Sequence, residues 1–495
     1  MKLYTTITSA LLSASSLFAA DNYFIGETWG GSGKVDQWSL NSISAEDDLF
    51  FDAVKYFEAK PSASQYWSVT QWVNTDLGTN YVTANSITVQ NLYNPADPKK
   101  LIFTISTPDD SLNASTKIAF TIANNFNFVS DSHKSVFTWQ SGGTKWPVNT
   151  LAIGGDLNVG SASSLSTDGG TAAFGGYKNN TMIKKMTVAG DVNMYGDVKL
   201  SLSVGTPDAE ANVGDASFKV SGVVNMNKIG DSAPTWVLNN TSNNDSGTNA
   251  VLNATIDVGG IQGYGTIRNN TASRGGSATI IFRNTSRYDF YGTMSDEIAE
   301  GSGNSKINML LANGACVQAL RGEVKVAGNI EIRRGTLLLN GTSIGSITMT
   351  DFSTASKLGA ISVDSEFGTI NTKSNFIMEN NCSLLFDING TNQDIINVGG
   401  TFRIKEGNNI AIEFATLSNI NVGDEYKLVT YATLDAGTTI EQISAIFGEG
   451  WDGELSLHDN ALWVTFTQVA VPEPAEWAAI FGAAALALAL YRRRK

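Results

Sequence analysis

Few residues in this chain have the types and spacing for chemistry: two histidines (His133 and His458), two cysteines (Cys316 and Cys382) and a few adjacent acids. The candidate pairs are Asp47-Asp48, Asp109-Asp110 and Asp296-Glu297. Neighbouring carboxylates, with Lys or Arg beside them, can hold Ca²⁺ or act as an acid–base couple on a sugar polymer. Each pair here lies in a polar, turn-like stretch, where adjacent acids are ordinarily solvated. His133 stands in Ser130-Asp131-Ser132-His133-Lys134, but a Ser-His-Asp triad is an arrangement in space, and sequence adjacency does not make one. His458 precedes the strand pattern around Trp463, and both histidines read as exposed loop residues. The glycines of Gly259-Gly260-Ile261-Gln262-Gly263-Tyr264-Gly265 have no following helix and no Lys-Ser/Thr ending, so they do not describe a phosphate loop.

Composition closes several classes. Two cysteines 66 residues apart are too few for a disulfide scaffold or a cysteine-rich metal module. Two histidines leave little for a zinc site, and neither a metal nor a cofactor is expected. A formal charge of −14, with 33 Lys and Arg spread thinly, is wrong for neutralising phosphates, so no nucleic-acid partner is expected. Charged residues make up only 16%, and their place is taken by Ser, Thr, 48 Gly and 45 Asn, the load of a turn-rich β chain. Several triplets, among them those at Asn113, Asn239 and Asn284, carry the N-glycosylation acceptor pattern.

The elements that would position these residues come from an internal repeat. A β-branched residue, a spacer, Gly or Asn, a spacer and then alternating apolar residues recur from Val89 to Ile404. The Gly/Asn pivots fall at 91, 124, 155, 190, 222, 260, 328 and 400, in steps of 33, 31, 35, 32, 38, 68 and 72. The last two steps are near twice the others, which predicts a period near 35 with degenerate copies near Gly292 and Asp364. Alternation in Leu157/Val159, Val192/Met194 and Ile330/Ile332 puts one apolar row on one side of a strand. Gly or Asn at the pivot lets the chain turn a corner. One strand–corner–strand unit cannot bury its apolar row alone, but stacked units share a continuous core. The fold predicted is all-β: a β-solenoid over 21–404, as a right-handed parallel β-helix, with an antiparallel β-sandwich array as the alternative. Residues 405–469, with alternating Tyr426–Tyr431 and Ala461–Phe466, read as a C-terminal β cap.

The ends read differently. Residues 1–20 carry Lys2, an uncharged stretch with Leu11, Leu12 and Leu17, and a small-residue end at Ala19-Ala20, the pattern of a helical secretory signal. Residues 470–495 contain Pro472-Glu473-Pro474, an apolar run Trp477–Tyr491, and Arg492-Arg493-Arg494-Lys495. As a helix the run spans about 22 Å, short for a ~30 Å hydrocarbon core but bridgeable by snorkelling cations and local thinning. The terminal cations favour a cytoplasmic end, with the body outside. In order, spacing and position this tail resembles the PEP-CTERM sorting signal of Gram-negative, exopolysaccharide-producing bacteria. That resemblance implies an exosortase-type membrane protease/transpeptidase as partner, transient residence in the inner membrane, and cleavage near Pro472-Glu473-Pro474. Removal of both ends would leave 28 cations against 46 acids, a body of charge −18.

Gly335-Thr336-Leu337-Leu338-Leu339-Asn340-Gly341, with Val324–Val326 and Ile330–Ile332 before it and Tyr288–Met294 further upstream, is similar to the strand repeat of autotransporter passenger domains. The single apolar tail replaces the outer-membrane barrel that such proteins end in. Together the readings predict a secreted or cell-surface structural or adhesive protein, placed by its sorting signal in an extracellular polysaccharide matrix. The alternative is an extracellular carbohydrate-active β-helix enzyme, a lyase or hydrolase.

Overall fold

The computed structural model describes residues 21–23, 48–52, 66–70, 81–91, 102–107, 118–130, 136–141, 149–161, 170–174, 185–202, 206–207, 217–240, 252–270, 276–296, 305–340, 342–350, 359–363, 367–405 and 410–468. Those residues are nearly all β. Strands follow the period-2 pattern: in Phe126–Ser130, Phe126, Phe128 and Ser130 are buried, while Asn127 and Val129 are half-buried. The inward positions of Leu157–Val159, Val192–Tyr195 and Val324–Ile332 are likewise fully buried, as their alternation predicts.

The strands occupy three positions that recur coil after coil. Face 1 carries Phe126–Ser130, Leu157–Val159, Val192–Tyr195 and Val224–Asn227, each parallel to the next. Face 2 carries Val136–Ser141, Thr171–Phe174, Lys199–Leu202 and Thr235–Asn240. Face 3 carries Ile118–Ile122, Asn149–Ile153, Lys185–Val188 and Phe218–Val220. Face 1 forms a 16-stranded sheet, and faces 2 and 3 merge into one of 25 strands. They merge because Val324–Ile332, Thr342–Thr350 and Ile395–Ile404 each run through both positions, with a register shift marking the corner. The long parallel sheets are the pattern of a β-helix or solenoid. One apolar cluster fills the inside, and its rings touch across faces: Phe126 on face 1 lies 5.0 Å from Phe137 on face 2.

The repeat is not uniform, and the predicted period of 35 holds only for the first half. Successive coils advance by 39, 31, 35, 32 and 37 residues as far as Gln262. Beyond it they advance by 24, 29, 21 and 17, then 29 from Ile347 to Phe376, then 26. The step from Gly328 to Gly400 therefore holds three short coils, through Gly345 and Ser374, and the step from Gly260 to Gly328 nearly three, because the later corners shed their loops while the strand positions stay.

The pivots also divide among three different corners. Asn85, Asn124, Gly155, Gly190, Gly222 and Gly259 stack between faces 3 and 1, each N–H donating to the carbonyl of the pivot before it. Asn91 is the end of a face-1 strand, and Gly259, not Gly260, is the stacked residue. Gly328 and Gly400 belong to the corner between faces 2 and 3, with Gly345 and Ser374. Gly292 belongs to the third corner, under Gly322 and over Gly265. Asp364 lies outside the described residues.

At the C-terminal end the pairing changes sense. Glu425–Leu434 runs parallel to Ile395–Ile404, and Ala461–Gln468 lies antiparallel to Glu425–Leu434. Trp451–His458 then pairs antiparallel with Ala461–Gln468. The predicted signal helix (1–20) and the tail (470–495) lie outside the described residues. Among the described residues no helix is long and apolar enough to cross a membrane.

Candidate functional site

Two hydrogen-bonded ladders climb face 1. At the corner, Asn125 Oδ1 accepts the Asp156 N–H (2.7 Å), Asp156 Oδ1 the Asp191 N–H (2.8 Å), and Asp191 Oδ1 the Val223 N–H (2.8 Å). Asp156 and Asp191 thus stitch coil to coil. Removing one leaves an N–H without its acceptor, so Asp191→Ala should cost about 1–3 kcal/mol, while Asp191→Asn, which keeps an oxygen there, should cost much less. Urea denaturation of both variants checks this, and equal losses would contradict it.

The second ladder faces outward. Asn127 Nδ2 donates to Thr88 (3.1 Å), Asn158 to Asn127 (2.8 Å), Asn193 to Asn158 (2.9 Å), Asn225 to Asn193 (2.8 Å) and Gln262 Nε2 to Asn225 (2.6 Å). An amide has two N–H groups and two acceptor sites, and the ladder uses one of each. An interior member therefore keeps one donor and one acceptor for solvent, repeated at the ~4.8 Å spacing of neighbouring strands.

The acids, histidines and cysteines do not converge. Asp48 Oδ1 accepts from Asn85 Nδ2 (2.9 Å) and Ser86 Oγ (2.5 Å). Asp296, 4% exposed, accepts the N–H groups of Ile307 (2.9 Å) and Ala327 (2.7 Å), a structural role at a corner. Asp47, Asp109, Asp110, Glu297 and His133 lie outside the described residues, as do Pro472, Glu473, Pro474, Arg492, Arg493, Arg494 and Lys495. Cys316 and Cys382 are free and buried, and burial pushes both thiols up to about 12. Three coil steps separate them, not two, through Gly335 and Gly359. Asn284 is 3% exposed and bonded to Cys316, Ser286 and Val317, so its glycosylation triplet is closed to an enzyme. A Gly-x-Ser-x-Gly string does occur, at Gly341–Gly345, but Ser343 lies inside the strand Thr342–Thr350, not at a strand-to-helix elbow.

What sequence reasoning missed is a cleft of about 670 Å³ near the C-terminal end, lined by residues including Phe367, Asn392, Gln393, Asn421, Asp424 and Glu425. Its members are separated by up to some sixty positions, and only coil stacking assembles them. His458 stands beside it, with Nε2 3.2 Å from Glu425, Nδ1 3.2 Å from Asp459, and its ring stacked on Trp463 at 5.3 Å. Asp459, and after it Glu425, raise His458 above its ordinary value.

Behind the cleft Asp394 is completely buried, accepting N–H groups from Gly368 (3.0 Å) and Asp387 (2.8 Å). Burial pushes its carboxyl up to about 7, against those two donors, and the neighbouring Asp387 carboxylate adds to the rise. The folded chain therefore keeps a proton that the unfolded chain releases near pH 4, so this contribution to stability falls as pH rises from 4 through 7. The melting temperature should drop by several degrees more between pH 5.5 and 8 in the parent than in Asp394→Asn. Parallel pH profiles for the two would contradict it.

One exposed strip lies elsewhere, where Tyr264 and Tyr291 of successive coils stack at 5.0 Å and Arg321 covers Tyr291 at 5.5 Å. Both ring faces of Tyr291 are thereby occupied, which marks the strip as inter-coil packing. No family model, curated protein or solved structure matches the chain.

Proposed function

We propose that this chain is a secreted or cell-surface structural or adhesive protein whose body is a right-handed parallel β-helix. On this reading residues 1–20 direct export and 21–404 form the solenoid, closed by a cap over 405–469. The tail 470–495 is then a PEP-CTERM signal that an exosortase-type enzyme cuts near Pro472-Glu473-Pro474. Arg492, Arg493, Arg494 and Lys495 hold the precursor's end on the cytoplasmic side until then.

The observation that carries the reading is the outward amide ladder, Asn127–Asn158–Asn193–Asn225–Gln262, continuous over successive coils. Its unused donors and acceptors recur at a fixed spacing, which suits regularly spaced hydroxyls of an extended, hydrated polysaccharide. Mass spectrometry of the mature surface protein tests the sorting half: the C-terminal peptide should end near Pro474. A mature peptide ending in Lys495 would overturn it. Cosedimentation with the producer's matrix polysaccharide tests the adhesive half. It should weaken when Asn158 and Asn193 are both replaced by Ser, and unchanged cosedimentation would count against the ladder.

A carbohydrate-active enzyme is the second reading, favoured by Asp424 and Glu425 on one cleft wall. Release of reducing ends from matrix polysaccharide, abolished by Asp424→Asn with Glu425→Gln, would establish it.

A further inference from the structure

We propose that the C-terminal cleft is a binding site for a short, uncharged oligosaccharide, separate from the face-1 ladder. The inference rests on the extracellular-polysaccharide reading above and adds a second site to it, with its own ligand class.

Three features carry it. The first is a built cavity. The cleft measures about 670 Å³, within the range of small-molecule sites. One wall is the tight hairpin where Ile388 and Asn389 pair antiparallel with Gln393 and Asn392. The other is the turn at 419–424, with Phe367, Ile395 and Tyr426 supplying apolar ground.

The second feature is preorganisation. The hairpin is tied to the turn by the Gly390 N–H on the Ser418 carbonyl (3.0 Å) and by Asn419 Nδ2 on Asn389 Oδ1 (2.5 Å). Gln393 Nε2 donates to the Lys427 carbonyl (2.6 Å), and the Asn421 N–H to the Tyr426 hydroxyl (2.9 Å). The buried Asp394 carboxyl pins the base of the hairpin through the Asp387 N–H. Walls held this way lose little entropy on binding.

The third feature is chemistry left over. Thr391, Asn392, Asn421 and Asp424 line the cleft with exposed side chains that make no hydrogen bond to the described residues. A planar amide donates and accepts side by side, and a carboxylate accepts in pairs, which matches vicinal sugar hydroxyls. No Lys or Arg is among the lining residues, while Asp424 and Glu425 are, so an anionic ligand such as a uronate is disfavoured.

The experiment uses the full mature chain, with cellohexaose, chitohexaose and laminarihexaose as neutral probes and a galacturonate hexamer as the anionic one. Calorimetry and saturation-transfer NMR should detect at least one neutral hexasaccharide and not the galacturonate. Asn392→Ala with Asp424→Ala should weaken that binding at least about tenfold, since two polar contacts are lost. Both changes are at exposed side chains, and unchanged circular dichroism confirms folding. Asp231→Asn, at a fully exposed side chain outside the cleft lining, should leave hexasaccharide affinity unchanged. The proposal is overturned if no neutral probe binds at millimolar concentration, if the cleft variant binds as the parent does, if galacturonate binds more tightly, or if the bound oligosaccharide is cleaved. Cosedimentation with matrix polysaccharide that persists when hexasaccharide binding is absent removes this site alone and leaves the adhesive reading standing.

Discussion

Replacing Phe137 by alanine should cost about 4 kcal/mol, and the damage should stay in its own coil and the adjoining ones. Phe137 is fully buried on face 2, and its ring meets Phe126 at 5.0 Å, Phe174 at 5.6 Å and Phe128 at 6.1 Å. Each such ring pair adds to the burial term, by about 0.5–1.5 kcal/mol. The residue paired with Phe137 in the next coil is Ala172, which has no side chain long enough to fill the cavity. Both neighbouring faces are strands held in register from two sides, so the walls cannot collapse inward. Hydrogen exchange should therefore quicken over the strands between 118 and 174 and stay slow around 382–418. Phe137→Leu should recover most of the loss. A cost below about 1 kcal/mol, or exchange that rises evenly along the chain, would contradict a core built coil on coil.

The second large effect is expected from adding one methyl group. A Cβ on Gly322 would collide with the carbonyl oxygen of Gly292, and would lie 2.7 Å from that residue's carbonyl carbon and 2.8 Å from the Tyr291 oxygen. All three obstacles are backbone, and Gly292 is itself stacked on Gly265, so nothing at that corner can give way. Gly322→Ala should cost about 3 kcal/mol and pull Arg321 off the Tyr291 ring. Gly448→Ala is the control, since no atom lies within 4 Å of a Cβ there. Urea denaturation separates the two, and equal stability for both would show that the coils are looser at this corner than their packing requires.

The contrast between these glycines shows what could be read in advance. Side-chain direction in a strand depends only on position parity, so the inward rows at Leu157/Val159, Val192/Met194 and Ile330/Ile332 were legible and are all fully buried. Coil length was not legible. Gly190, Gly292 and Gly328 look alike in sequence, yet they stand at three different corners. A corner glycine is required wherever backbone passes close over backbone, and nothing local says which corner that is. Asp156 and Asp191 each directly follow a pivot, at 155 and 190, and that equivalence is legible because their coils keep a similar length. The cleft was not, because Phe367, Asn392 and Asp424 meet only through the stacking of separate coils. The same holds for Asp394, an unremarkable acid in sequence whose burial comes entirely from the strands and hairpin packed around it.

The sequence by itself determined the β character, the inward apolar rows, the polar amide-rich exterior, the negative charge of the body and the scarcity of groups suited to catalysis. Those are properties of residue type and parity, which act at short range. Tertiary structure alone decided how many residues make a coil, which glycine sits under which, where an acid loses its water, and which polar side chains share a cleft. Each of these depends on contacts between segments some 17 to 39 residues apart, and they exist only once the coils have closed and stacked.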